Sequence, residues 1–296
     1  MSDAKTYWRD PALGEPREVD VPGGRMRILE TGSGPPLVFV HGLLVNANLW
    51  RKVVPRLAPD FRCVALDMPL GSHEIPMPGA DLSPLGLANL IADAIEAAGL
   101  EDVTLVGNDT GGGLSQLVVT HRPDRVGRLV LTSCDAYENF PPRFFKVVLA
   151  PALIPGAARF VFAPLRVRRL RELPIAFGWL MHSRLEADAG DSYTLPALTS
   201  AAVGDDVRRA MRGIHPRYTL EAAEHFGEFD RPVLIAWSRD DKFFPLHHAE
   251  RLARDFPNAR LEWIEDARTF SPEDQPERLA ELIAGFVREP VAGAAE

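Results

Sequence analysis

The segment Val103-Thr-Leu-Val-Gly-Asn-Asp-Thr-Gly-Gly-Gly113 limits the fold more than any other stretch of the chain. Its first half is an apolar run of the kind found in sheets covered on both faces. Its second half is glycine-rich and reads as the start of a helix over Gly111–His121. One acid, Asp109, stands between Gly107 and Gly111. A strand that passes directly into a helix needs a sharp turn, and small neighbours let the two elements approach closely. Such a turn lifts one side chain above the sheet edge, where the helix N-terminus favours an ionised carboxylate or a developing negative charge. Asp109 is therefore either the reactive group of a site or a structural helix cap.

A strand buried on both faces needs parallel neighbours, and the chain supplies them. Arg17–Val21 and Gly24–Thr31, joined at Pro22-Gly23, read as a hairpin. Strand-like runs at Leu37–His41, Phe61–Leu66, Val103–Gly107 and Arg128–Thr132 alternate with helical patterns over Asn48–Leu57, Leu82–Ala98 and Gly111–His121. The rhythm fails between Cys134 and Glu228, where prolines recur at 141, 142, 151, 155, 164, 174 and 196. Only helical patches such as Arg166–Leu173 and Asp205–Gly213 are read there. It resumes with a strand at Pro232–Trp237, a helix over Leu246–Asp255, a strand at Arg260–Ile264 and a helix over Gln275–Arg288. The expected class is α/β, a doubly wound, mostly parallel sheet built from residues 1–133 and 229–296. Residues 134–228 are expected to form a helical cap, and Val291–Glu296 to fray.

Composition excludes several roles. Thirty-three basic against 41 acidic residues give a net charge of −8, which argues against nucleic acid as a partner. Cys63 and Cys134 are the two cysteines, too few for a disulfide scaffold or a zinc cluster, so neither metal nor cofactor is expected. The charged start MSDAKTYWRDP lacks the apolar stretch of a secretory signal, and no run is long enough to span a membrane. The expectation is a cytoplasmic protein acting on a small molecule, without a membrane partner; a homodimer is left open.

Two further segments stand beside the Asp109 turn. Val40-His41-Gly42-Leu43 follows a buried strand, and Trp237-Ser-Arg-Asp-Asp241 ends another. Taken with Gly107-x-Asp109-x-Gly111 and Asn48-Leu-Trp-Arg51, they resemble the α/β-hydrolase superfamily over about Val38 to Val287. An acid at the elbow narrows the resemblance to the branch of haloalkane dehalogenases, fluoroacetate dehalogenases and epoxide hydrolases. The resemblance implies an eight-stranded core and an Asp109 that attacks carbon to form an ester, which a His–acid pair then hydrolyses. It implies Asp241 as that acid, with Asp240 second and Asp135, at the end of the preceding core strand, as the other family position. The amides of Leu43 and Thr110 are implied donors to developing charge. Each of the three acids also reads as an ordinary loop residue.

The resemblance breaks where the catalytic His belongs. In Ile264-Glu-Asp-Ala-Arg-Thr-Phe-Ser-Pro272 the slot before Phe270 holds Thr269. A threonine hydroxyl holds its proton too tightly to act as a base near neutral pH. Glu265, Asp266, Glu273 and Asp274 are nearby carboxylates, and a cap histidine swinging over the site is another route. The leaving-group side departs as well: Thr110 and Leu43 replace the Trp and Asn usual in haloalkane dehalogenases, and the arginines of fluoroacetate dehalogenases have no counterpart at Thr110 or Gly113. Tyr137, Tyr193 and Tyr218 are candidate donors to an opening epoxide, or simply packing residues. Apolar stretches at Phe144–Leu153, Phe160–Leu165 and Ile175–Leu180 suggest a hydrophobic lid. Arg166, Arg168, Arg169 and Arg171 read as a solvated face or a dock for an anionic substrate. The leading expectation is a hydrolase in which Asp109 opens an epoxide or displaces a halide or related group. The alternative is a member altered by loss of the His that binds a small molecule or performs an elimination or rearrangement.

Overall fold

The computed structural model describes residues 7–289; the tail Val291–Glu296 lies outside them. Eight strands form one sheet: β1 (Glu15–Val21), β2 (Gly24–Thr31), β3 (Pro36–Val40), β4 (Arg62–Leu66), β5 (Val103–Asp109), β6 (Val126–Cys134), β7 (Val233–Ser238) and β8 (Ala259–Ile264). Their order across the sheet is β1-β2-β4-β3-β5-β6-β7-β8. The β1–β2 hairpin is antiparallel and joins β4 antiparallel. From β4 to β8 every pairing is parallel. This is the expected doubly wound sheet. Its central strands are rich in apolar residues because helices cover both faces; all seven residues of β5 are buried.

Two strands run further than their apolar patterns indicated. β5 continues through Asn108 to Asp109, and β6 continues to Cys134, so the polar residues at their C-terminal ends are still held by sheet bonds. The helix read over Asn48–Leu57 is instead two short turns, Ala47–Trp50 and Val54–Leu57. Pro55 has no N–H to continue a helical ladder back to Arg51, so one uninterrupted helix cannot form. The patch at Arg166–Leu173 likewise contracts to the single turn Arg168–Arg171, with Pro174 close behind.

Between β6 and β7 the described residues contain helices and no strand of the sheet. The longest are Ala187–Thr199 and Ala201–Gly213. Ala152, Ala158, Phe162, Leu198, Val203 and Val207 form an apolar cluster separate from the main core, with Leu44 packed against it and Leu43 packed against both. The buried guanidinium of Arg51 fastens this region to the sheet domain by pairing with the exposed Glu186. Arg51 donates to both carboxylate oxygens of Glu273 and also pairs with Glu186, so one guanidinium joins three parts of the chain. No helix among the described residues is long and apolar enough to cross a membrane.

The helix Thr110–His121 lies almost in contact with the β3 backbone. A Cβ on Gly111 would fall 2.4 Å from the Val40 carbonyl oxygen and 2.5 Å from that of His41. Neither carbonyl is the end of a flexible side chain, so the backbone itself would have to move. Gly111→Ala should lower unfolding free energy by roughly 2–3 kcal/mol in denaturant titration. Unchanged stability would contradict this close packing.

Candidate active site

Asp109 is the last residue of β5, and the helix begins at the next residue. Its backbone has φ 54° and ψ −130°. A non-glycine residue held in so sparsely populated a region stores on the order of 1–3 kcal/mol and persists only where its surroundings enforce it. Two features enforce it here. The sheet pairs β5 with β6 up to Asp109 and Cys134. The backbones of Thr110 and Leu43 hydrogen-bond the carboxylate. Gly42 permits the approach, since a Cβ there would lie 2.0 Å from Asp109 Oδ2.

The carboxylate faces a cavity of about 310 Å³ lined by Leu43, Thr110, Asp135 and Tyr193 together with apolar residues such as Phe145, Phe162 and Phe177. Leu173 and Ile175 line it and are also exposed, so the cavity reaches solvent there. Burial pushes the Asp109 pKa up to about 7; the charge of Asp241 adds to the rise and the amides of Thr110 and Leu43 oppose it. Asp135 is pushed well above the usual carboxylate range, by burial first and then by Asp109. Its Oδ2 accepts from the Thr110 hydroxyl at 3.1 Å, whereas its Oδ1 is buried and has no partner among the described residues.

Asp241 and Thr269 stand behind the cavity and are not part of its lining. Asp241 Oδ1 accepts the amides of Phe243 and Phe244 at 2.7 and 2.8 Å, and Oδ2 accepts the Thr269 hydroxyl at 3.0 Å. Burial raises its pKa to about 6, while these donors and the Ser133 side chain hold it from going higher. Thr269 is fully buried, and its one hydroxyl proton is committed to Asp241. Asp240 turns outward and meets the exposed His182 at 3.0 Å.

None of the chain's eight histidines lines the cavity. His41 is a buried structural residue whose Nε2 accepts the Met68 amide, leaving Nδ1–H for the Gly42 carbonyl. Burial lowers its pKa to about 4. His73 meets Asp206, and His248 meets Glu138. Three carboxylates of the loop after β8 are engaged, Glu273 with Arg51, Glu265 with Arg239, and Asp274 with the amides of His182, Ser183 and Arg268, while Asp266 is exposed; none of the four lines the cavity.

The three tyrosines separate. Tyr193 lines the cavity, and its hydroxyl is buried without a partner. Burial and the charge of Glu273 push its pKa well up. Tyr137 is buried elsewhere, donating to Asp255 at 2.9 Å, and the Tyr218 hydroxyl accepts from Arg217 at 2.8 Å; neither lines the cavity. Within the basic run, Arg168 and Arg171 pair with Asp191, and Arg171 is buried.

Two further side chains shape the site without standing out in the sequence. Asn108 Nδ2 donates to the Thr269 carbonyl and to Thr132 Oγ1, both at 2.8 Å, tying the end of β5 to the loop after β8. Ser133 Oγ accepts the Ser238 amide at 3.1 Å, beside Asp241. The available signal was positional: both are polar residues ending otherwise apolar strands.

A strained acid at a strand-to-helix turn, facing a cavity at the C-terminal ends of parallel strands, defines the class. The alpha/beta hydrolase fold family model matches residues 35–276, and the chain belongs to that family. Haloalkane dehalogenase 2 of Mycobacterium tuberculosis (strain ATCC 25618 / H37Rv) is 28% identical over 274 residues, covering 91% of this chain and 93% of that protein. A 2-hydroxy-6-oxononadienedioate/2-hydroxy-6-oxononatrienedioate hydrolase of Dechloromonas aromatica is 23% identical over 265 residues, covering 87% and 89%. The crystal structure of the haloalkane dehalogenase DatA from Agrobacterium tumefaciens C58 superposes with a TM-score of 0.77 at 23% identity, over 94% of this chain and 99% of that one. The likeness to haloalkane dehalogenases is thus one of sequence, and the superposition shows the shared alpha/beta hydrolase fold.

The electrostatics make a prediction about stability. Asp109 has a folded-state pKa of about 7 against an ordinary value of 3.8, so the folded chain resists ionising it. Below about pH 4 both states are protonated and nothing is lost; above about pH 7 the full cost is present. Asp109→Asn should therefore stabilise the chain by on the order of 3–4 kcal/mol at about pH 8, with the advantage shrinking as pH falls to about 4. Thermal unfolding of both chains across pH measures this. A constant difference across that range would contradict it.

Proposed function

We propose that the protein is an enzyme in which Asp109 attacks the carbon of a small or medium-sized apolar substrate bearing a leaving group, an epoxide or an alkyl halide. The observation that carries this reading is the Asp109 carboxylate itself, bonded by two backbone groups at a strained turn and opening onto an apolar cavity. Attack by one carboxylate oxygen leaves the other against the amides of Leu43 and Thr110. Those amides are then placed to receive the oxyanion that forms when water later adds to the ester carbon.

Residues 134–228 act in this reading as a lid. Support comes from their own apolar cluster and from the many cavity-lining side chains they contribute, Phe145, Leu149, Phe162, Leu165 and Phe177 among them. A dry cavity strengthens the field of the amides on the reacting oxygen and keeps competing water away. Tyr193 is available to bind a substrate oxygen.

A second reading is favoured by Thr269. With no imidazole lining the cavity, Asp109 acts as acid or base in an elimination or rearrangement, chemistry that needs no activated water. The two readings separate in water enriched in heavy oxygen. Hydrolysis through Asp109 carries the label into protein carboxylate and then product, and an elimination carries none.

The test of the leading reading is a panel of terminal epoxides and primary bromoalkanes. Asp109→Asn should reduce consumption of every active compound at least ~10⁴-fold. Thr269→His, which supplies an imidazole beside Asp241, should raise the steady-state rate at least ~10-fold by hastening ester hydrolysis. Turnover that survives Asp109→Asn would overturn the assignment.

A further inference from the structure

We propose that Asp135 is the proton-transferring group of this site, giving a proton to an oxygen leaving group and then taking one from water. The inference rests on Asp109 being the nucleophile, and it adds the residue that does the work for which no imidazole is present.

Asp135 directly follows β6, and its N–H donates to the Asp109 carbonyl at 3.3 Å, so the backbone fixes the two acids side by side. Gln116 secures the other end of the residue, donating to the Asp135 carbonyl at 2.7 Å. The side chain is 1% exposed and lines the same cavity as Asp109. One oxygen is held by the Thr110 hydroxyl; the other is buried with no partner among the described residues. A bare carboxylate oxygen against apolar walls is costly unless it is protonated or meets a group on a ligand. Two adjacent carboxyl groups do not readily share two negative charges, so the pair carries one. Asp109 is the one with two backbone hydrogen bonds to its carboxylate and takes the charge; Asp135 keeps the proton.

Other groups are less suited. The Tyr193 phenol also lines the cavity, but burial makes it a far weaker acid than a carboxyl group. Asp241 is occupied by its donors behind the cavity. The thiol of Cys134 is pushed well up, by burial first and then by Asp135, Asp109 and Asp241, and stays neutral.

A neutral acid beside the nucleophile also favours one substrate class. A bromide or chloride departs as a stable anion and needs no proton, whereas the oxygen of a strained cyclic ether leaves as an alkoxide and does. In the first step an Asp109 oxygen bonds to the ring carbon, the carbon–oxygen bond breaks, and the ring oxygen takes the Asp135 proton. Asp135 is then the carboxylate. In the second step it accepts a proton from water as that water adds to the Asp109 ester carbon. The tetrahedral intermediate collapses, the carbonyl re-forms, and the released alkoxide takes the same proton back. Asp109 is left as the carboxylic acid, carrying the second proton of that water, and passes it to the Asp135 carboxylate; both groups are then in their starting states, and the net reaction is epoxide plus water to diol.

The experiment treats the full chain and its Asp135→Asn variant with styrene oxide and with 1-bromohexane, following adducts by intact mass and diol by chromatography. Asp135→Asn should slow ester formation from styrene oxide about 100-fold, at least ten times more than from 1-bromohexane, and should leave the styrene oxide ester accumulated rather than turned over. The rate of styrene oxide attack in the wild-type chain should rise with Asp109 ionisation and fall again at higher pH, a falling limb that 1-bromohexane lacks. Asp135→Glu should restore part of the diol formation, which separates proton transfer from a structural role. Equal slowing of both probes, or unimpaired diol formation by Asp135→Asn, would overturn the role of Asp135 while leaving Asp109 intact. Absence of any Asp109 ester from either probe would overturn the reading beneath it.

Discussion

The site depends on the contact between Asp109 and the loop His41-Gly42-Leu43. β5 delivers Asp109 in a backbone conformation that an ordinary residue avoids, and the glycines at 42 and 111 allow that loop and the following helix to close on it. The same closeness brings the backbone of Leu43 to the carboxylate. His41 holds the loop from the other side, bonding the Met68 amide and the Gly42 carbonyl. Strain, packing and hydrogen bonding thus fix one side chain at the floor of an apolar cavity.

Around that side chain the structure gathers acids without a cation. Asp109 is perturbed by Asp241 and in turn perturbs Asp135, and among the described residues no Lys, Arg or His lines the cavity. Burial raises all three, and their different hydrogen bonds then spread them apart. Asp241 has amide, hydroxyl and serine donors to oppose the rise, Asp109 has two backbone groups, and Asp135 has a single hydroxyl. Cations are used instead away from the cavity: Arg51 joins Glu273 and Glu186 and so ties the segment after Thr269 and the helical region to the sheet domain. Breaking that pair by removing one partner leaves an uncompensated buried charge, the costlier kind of disruption.

Much of the sheet was legible because a parallel strand covered on both faces needs a continuous apolar run, and β3, β4, β5 and β7 each have one. What the runs did not show were the polar strand ends. Asn108 and Ser133 continue their strands beyond the apolar pattern and become the supports of Thr269 and Asp241. The interrupted turn at Val54 and the contracted helix at Arg168 follow from prolines overriding helical periodicity. Asp109 was legible from its glycine neighbours. The separation of Tyr193 from Tyr137 and Tyr218 was not, since all three fall in the same strand-free stretch and only tertiary packing decides which one reaches the cavity.

The central claim is that Asp109 forms a bond to substrate carbon, and peptide mapping of protein quenched during reaction tests it most directly. The account predicts a single ester, carried by the peptide that contains Asp109 and released by mild base. An active protein whose quenched Asp109 peptide is unmodified, or whose adduct lies on another residue, would contradict it.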